Sequence, residues 1–202
     1  MAILSSKPAP QTLIKILGID QSLNSTGICL HNIKTYEGAT RSQYKYWIIP
    51  SKMTEKMRKF SNKHITISPY EKQVGEDYTS KEMAKTHNIY DICNIIKGII
   101  KKEKPDVICM EGISYGSIGG ASVIDLAGLN YCIRMLAIEY GITLQLVSPK
   151  TLKKLATGNA GALKDEMIWA WKECDPHMKD IQDIKVDDLA DAFFLSKSYD
   201  VH

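Results

Sequence analysis

Two segments of the chain, Leu13-Ile-Lys-Ile-Leu-Gly-Ile-Asp20 and Val107-Ile-Cys-Met-Glu111, are apolar at almost every position, and each ends on a carboxylate. A strand with one wet face alternates polar and apolar residues, whereas a run without alternation is covered on both faces. These segments therefore read as strands buried between helical layers. Each acid then stands at the C-terminal end of a buried strand, the edge where open α/β sheets bind ligands. A third segment, Val186-Asp-Asp-Leu-Ala-Asp-Ala-Phe-Phe-Leu195, reads as a helix that is apolar on most sides. It sets Asp188 and Asp191 three residues apart, one turn, so that both side chains can face one spot.

Carboxylates driven into a dry site are costly without a partner of opposite sign, and no Lys or Arg lies at either strand end or between the two helical aspartates. A divalent cation meets that need. Oxygen ligands favour the hard ions Mg²⁺ or Mn²⁺ over zinc. Two such ions, roughly 3.5–4 Å apart, can activate a water and stabilise the leaving oxygen of a phosphodiester. The pattern thus points to a nuclease. Taken singly, the acids have plainer readings. Asp20 suits the start of a turn, Glu111 before Gly112 suits a strand exit, and Asp187 and Asp188 suit the first turn of a helix, where acids complement the dipole. Asp191 fits these readings least, because Leu189, Ala190, Ala192 and Phe193 leave it little exposed face.

Periodicity and chain breakers order the rest. Residues 12–20, 26–32 and Tyr44–Ile49 read as an antiparallel meander. A Lys-rich polar segment over 51–79 follows, with a short hairpin expected around Ile65-Thr66-Ile67. A helix is expected from about Ser80 to Lys102, its stripe formed by Ile89, Ile92, Cys93, Ile96, Ile99 and Ile100 and its end fixed by Pro105. A strand over Asp106–Glu111, a Gly-rich loop over Gly112–Gly120, a helix over Ala121–Tyr140 and a fifth strand over Ile142–Val147 come next. A Lys-rich helical segment, a glycine loop at Gly158–Gly161, a helix over Leu163–Cys174 and the closing helix from about Val186 complete the chain. The expected class is α/β, a mixed five-stranded sheet of meander plus parallel strands flanked by helices. Residues 1–11 read as a flexible leader before one domain over 12–202.

Four motifs in this order resemble the RuvC-like Holliday-junction resolvases of the RNase H-like superfamily. They are Gly18-Ile-Asp-Gln-Ser-Leu-Asn-Ser-Thr-Gly27, Met110-Glu-Gly112, the stretch from Ser148-Pro-Lys150 through Lys164, and Asp188-Leu-Ala-Asp-Ala192. Together they cover most of residues 12 to 198. The first motif is closer to versions found in phages, with Gln21 where typical bacterial enzymes have proline.

The resemblance implies an RNase H-like sheet and a Mg²⁺-dependent endodeoxyribonuclease acting on branched DNA, four-way junctions above all. Mn²⁺ would serve in place of Mg²⁺. Asp20, Glu111, Asp188 and Asp191 would hold two ions, with Asp187 an additional acid beside them. Lys150, Lys153 and Lys164 would contact DNA. Tyr115 is the nearest aromatic to the family's junction wedge, one position late, and a plain loop aromatic is its other reading. The Ala121–Tyr140 helix, apolar over more than one stripe, would form a two-fold homodimer; burial in its own core is the alternative. A looser debranching nuclease fits the same residues. Two readings from other classes stay open. The first motif also resembles the phosphate loop of sugar kinases and actin-like ATPases, which need a second lobe for which these residues leave no room. The other is a non-catalytic junction-binding protein, against which a complete acid set argues.

Composition agrees without deciding. A 202-residue chain with 44% hydrophobic and 24% charged residues supports a sizeable core and excludes a disordered or fibrous class. The net charge of +3 is too small to announce nucleic-acid binding by itself. Lysines cluster in Lys52–Lys63, Lys97–Lys104 and Lys150–Lys164. The second cluster reads as a solvated helix end. Lys150, Lys153 and Lys154 follow a Ser-Pro helix start, where cations oppose the dipole and a phosphate would compensate them. Five cysteines without a Cys-x-x-Cys spacing suit a reducing compartment. The start lacks a secretory signal pattern, and no stretch approaches the about 18 apolar residues of a membrane span, so a cytoplasmic protein is expected.

Overall fold

The structure, a computed structural model, describes residues 12–37, 39–60, 62–113, 121–182, 184 and 186–199. Strands β1 (Thr12–Asp20), β2 (Ser25–Tyr36) and β3 (Ala39–Pro50) form the antiparallel meander, and β4 (Ile65–Ile67) adds to its edge. Beyond β1 lie β5 (Val107–Glu111) and β6 (Thr143–Val147), both parallel. The sheet order is β4-β3-β2-β1-β5-β6. The helices are α1 (Glu55–Lys59), α2 (Tyr78–Glu103), α3 (Ala121–Glu139), α4 (Pro149–Thr157), α5 (Lys164–Cys174) and α6 (Val186–Lys197). No helix among the described residues is long and apolar enough to cross a membrane.

Both faces of the central strands are buried, as their unbroken apolar runs require. Ile16, Val107 and Cys109 point to one side and pack with Trp171 of α5 and Leu189 and Phe193 of α6. Leu17, Ile19, Ile108 and Met110 point to the other and pack with Ile92 and Ile96 of α2 and Ile133 of α3. Under α5 a buried chain of polar groups fixes the layer: Trp171 Nε1 donates to the Tyr46 hydroxyl at 3.1 Å, which donates to Asp175 at 2.7 Å.

Among the described residues the sheet has six strands, one more than the pattern of apolar segments predicts. The hairpin expected around Ile65–Ile67 is reduced to one antiparallel bridge between Asn62 and Ile65, and the main partner of β4 is another strand. Strand β4 pairs in parallel with Tyr46–Ile48, and three residues carry too little periodicity to reveal a partner that distant. The meander's second and third strands also run on beyond 32 and begin before Tyr44, meeting near Glu37, whose φ is 48°. This outer part is mostly exposed and polar, so hydrophobic alternation does not mark it. Helix α2 starts at Tyr78 because Asp77 caps it: Asp77 accepts from Ser80 N at 2.9 Å while the Ser80 hydroxyl accepts from Asp77 N at 3.1 Å. Lys104, in left-handed backbone ahead of Pro105, ends it.

Helix α6 lies against β1 and β2 at backbone distance, and two glycines permit this. A Cβ on Gly18 would overlap Ala192 O and Ser196 N. One on Gly27 would overlap the carbonyl of Asp188. The leader at 1–11 lies outside the described residues.

Candidate active site

The strand register and the two glycines bring the acids together. Asp20 closes β1 directly opposite Gly27 of β2. Because Ile19 pairs with Met110, Glu111 ends β5 beside Asp20, and the alternation that turns Gly18 and Cys109 toward α6 turns both acids the same way. Asp188 rests over Gly27, and Asp191 follows one turn later. Three elements far apart in sequence thus deliver Asp20, Glu111, Asp188 and Asp191 to one edge of the sheet.

Their electrostatics show the crowding. Burial pushes the Asp20 carboxyl well above the usual range, and the charges of Asp191, Asp188, Glu111 and Asp187 push it further. Glu111 is raised to about 7, by burial first and then by Asp191, with Lys153 pulling the other way. Asp191 is raised to about 6 by burial and Asp187, opposed by Lys164 and Lys153. Oxygen donors that repel one another in a partly dry pocket have the chemistry a hard divalent cation satisfies, so the donor set fits Mg²⁺ or Mn²⁺. Among the described residues, no group of three His, Cys, Asp or Glu side chains is arranged as it stands to hold a metal ion.

The basic residues divide. Lys153 of α4 is near enough to act on Glu111 and Asp191, and Lys164 binds Asp187 at 2.9 Å. Lys150 sits exposed in the first turn of α4. In the second lysine cluster, Lys97 pairs with Glu139 at 2.7 Å, and Lys101 and Lys102 occupy the last turn of α2, as a solvated helix end predicts. Tyr115 lies outside the described residues.

Two supports escape a sequence reading. Asn130, fully buried on α3, donates to the carbonyl of Glu111 at 2.9 Å, and Gln21 donates to the same oxygen at 3.3 Å. A lone Asn inside the apolar run Leu129-Asn-Tyr-Cys-Ile133 was the signal available. The turn after Asp20 has no proline to stiffen it. Thr26 does so instead, its hydroxyl donating to Ser22 O at 2.7 Å and accepting from Ser22 N at 3.2 Å.

A pH dependence follows. Unfolded, Glu111 and Asp191 release their protons near about pH 4; folded, they hold them to about 7 and about 6. Between these limits the folded state binds more protons, so their contribution to stability falls as pH rises from about 4 to 7. His31, lowered to about 4 by burial, has the opposite slope, so the acids are isolated by comparison. In EDTA, the stability of the wild type relative to a Glu111→Gln, Asp191→Asn variant is expected to fall across that window, and Mg²⁺ to abolish the fall. Urea melts at a series of pH values measure it; a difference that stays flat contradicts the assignment.

No family model matches the chain, and no curated protein matches it. Solved structures do. The RuvC structure from Thermus thermophilus superposes with a TM-score of 0.61 at 13% identity, over 91% of each chain. T. thermophilus RuvC in complex with a Holliday junction substrate gives 0.60 at 12% identity, over 91% of this chain and 90% of that one. The yeast mitochondrial Holliday junction resolvase Ydc2 gives 0.50 at 19% identity, over 91% and 76%. The chain therefore shares the mixed α/β fold of these RuvC structures.

Proposed function

We propose that this protein is a metal-dependent, structure-selective endonuclease that resolves four-way DNA junctions by phosphodiester hydrolysis. The observation that carries the reading is the meeting of Asp20, Glu111, Asp188 and Asp191, from β1, β5 and α6, at one edge of a sheet. The fold is shared with RuvC, which has been solved with a junction substrate.

Bound Mg²⁺, two ions with Mn²⁺ as a substitute, would supply an activated water and charge stabilisation for the leaving oxygen. Asp20, Glu111, Asp188 and Asp191 would hold these ions, and Asp191 would also serve to orient the water. Lys153 and Lys164, already within electrostatic reach of the cluster, hold the strand's phosphates against it. Lys150, on the same helix as Lys153, extends that contact. Labelled four-way, three-way and flap substrates, cut side by side in Mg²⁺ and in EDTA, test the reading. Cleavage of the four-way junction in Mg²⁺ alone is expected. Equal cleavage of all three would make this a broader debranching nuclease, and binding without cleavage would make it a scaffold.

A homodimer belongs to this proposal. Helix α3 buries Leu129, Ile133 and Ala137 but exposes Ile124, Tyr131, Met135 and Ile138, a second apolar stripe at helical spacing. A two-fold pairing of that stripe would cover it and present two sites to opposed strands. Sedimentation is expected to give twice the mass of the 22.7 kDa chain, and Met135→Lys with Ile138→Asp is expected to halve it without unfolding the protein. A wild type that sediments as a monomer at tens of micromolar contradicts the dimer.

A further inference from the structure

A trench begins at the turn that follows Asp20. Its near part, a cavity of 290 Å³, is lined by Gln21, Leu23, Lys72 and Asp125 among others. Leu23, Lys72 and Asp125 also line a second cavity, of 410 Å³, which runs on to Val74 and Tyr78 at the start of α2. The second has the size of a small-ligand site, and the first falls just short of it.

The walls are fixed in place. The Tyr70 hydroxyl donates to Leu23 O, and Lys72 Nζ lies 3.2 Å from Asn24 Oδ1. Asn88 stands in for a strand partner, accepting from Gln73 N at 2.7 Å and donating to Gln73 O at 3.0 Å. Gly75 lies so close to the backbone of Ser80 and Lys81 that a Cβ would not fit. The segment between β4 and α2, which has no regular structure here, is thus stitched both to α2 and to the loop beside the candidate site.

The chemistry of the trench is selective. Lys85 binds Glu82 at 2.7 Å and reaches Asp125 at 3.7 Å, which compensates the two acids in the wall. No acid is paired with Lys72 or Lys81 among the described residues. Tyr78 and Val74 at the far end are 81% and 86% exposed. At the near end Gln21 forms part of the wall while its Nε2 donates to Glu111 O at 3.3 Å. The trench therefore joins an aromatic face and two cations paired with no acid among the described residues, on the α2 and α3 side of the turn that follows Asp20.

We propose that this trench receives a short unpaired stretch of the cleaved strand. One base stacks on Tyr78 and the phosphates meet Lys72 and Lys81. The inference rests on the nuclease reading above and names the part of the substrate that this flank of the site holds.

The test uses a synthetic four-way junction carrying 5-iododeoxyuridine within a few nucleotides of the branch point, bound in EDTA and irradiated. A cross-link to Tyr78, located by mass spectrometry, is expected. Tyr78→Ala is expected to abolish it and to weaken junction binding on the order of tenfold, with Tyr78→Trp restoring affinity. Lys81→Ala is expected to lower the salt slope of binding by about one. Both side chains are exposed, so both variants should melt like the wild type. A wild type that binds the junction while cross-linking elsewhere, with both variants binding at full affinity, overturns this inference and leaves the nuclease reading standing. A wild type that binds no branched DNA overturns both.

Discussion

Asp20→Asn is expected to lower junction cleavage by on the order of 10³-fold or more while junction affinity in EDTA stays unchanged. The substitution keeps the size of the side chain and one of its oxygens but removes the charge at the centre of the cluster, where four other acids act on it. A cation held by that charge is worth several kcal/mol at the transition state, and each 1.4 kcal/mol is about tenfold in rate. In the proposed reading DNA affinity rests instead on cations such as Lys153 and Lys164, which the substitution leaves in place. The same variant should melt higher than the wild type in EDTA at neutral pH, since one source of mutual repulsion is gone. Loss of cleavage through misfolding would lower the melting temperature, so the two explanations separate. A comparable rate for Asp20→Asn in Mg²⁺ would show that the chemistry lies elsewhere.

Gly27→Ala is expected to cost about 3 kcal/mol or more, a large fraction of the stability of a domain this size. The added methyl has no free direction, because its nearest neighbours are the backbone carbonyl and Cβ of Asp188, and backbone cannot turn aside as a side chain does. Helix α6 would have to lift from β2, taking Asp188 with it and opening the contacts of Leu189 and Phe193 with the core. Cleavage should fall with stability, and should stay low in any fraction that remains folded. Gly18→Ala meets the same helix at Ala192 and Ser196 and should behave alike. Gly98 supplies the contrast. It lies within α2, where a Cβ would meet nothing, so Gly98→Ala should stabilise by about 0.5–1 kcal/mol. Urea denaturation of the three variants beside the wild type tests the argument, and a Gly27→Ala protein as stable as the wild type would refute the close approach of α6.

Much of this could be seen in the sequence because burial on two faces leaves a readable trace. The runs ending in Asp20 and Glu111, the helix ending at Pro105 and the paired aspartates near the C-terminal end are all local patterns with one physical cause each. The parts that were not visible depend on contacts between distant residues. Nothing near Ile65 says that it pairs with Tyr46, and nothing near Asn130 says that its amide reaches the carbonyl of Glu111. Gly27 stands out as the last residue of a motif, yet the reason for it lies on a helix some 160 residues away. Gly75 and Asn88 have the same character, each explained only by the strap that they hold against α2. Of the lysines at the start of α4, Lys153 is the one whose field reaches the acids, which the spacing of lysines in the sequence does not tell apart from Lys150.

The most direct measurement is a crystal structure grown or soaked with Mn²⁺ and examined by anomalous scattering. Two peaks are predicted, bounded by Asp20, Glu111, Asp188 and Asp191, with carboxylate oxygens drawn in to about 2.0–2.2 Å as hard octahedral ions require. Carboxylates that stay apart with no anomalous density between them, at a Mn²⁺ concentration that saturates any activity, would contradict the account.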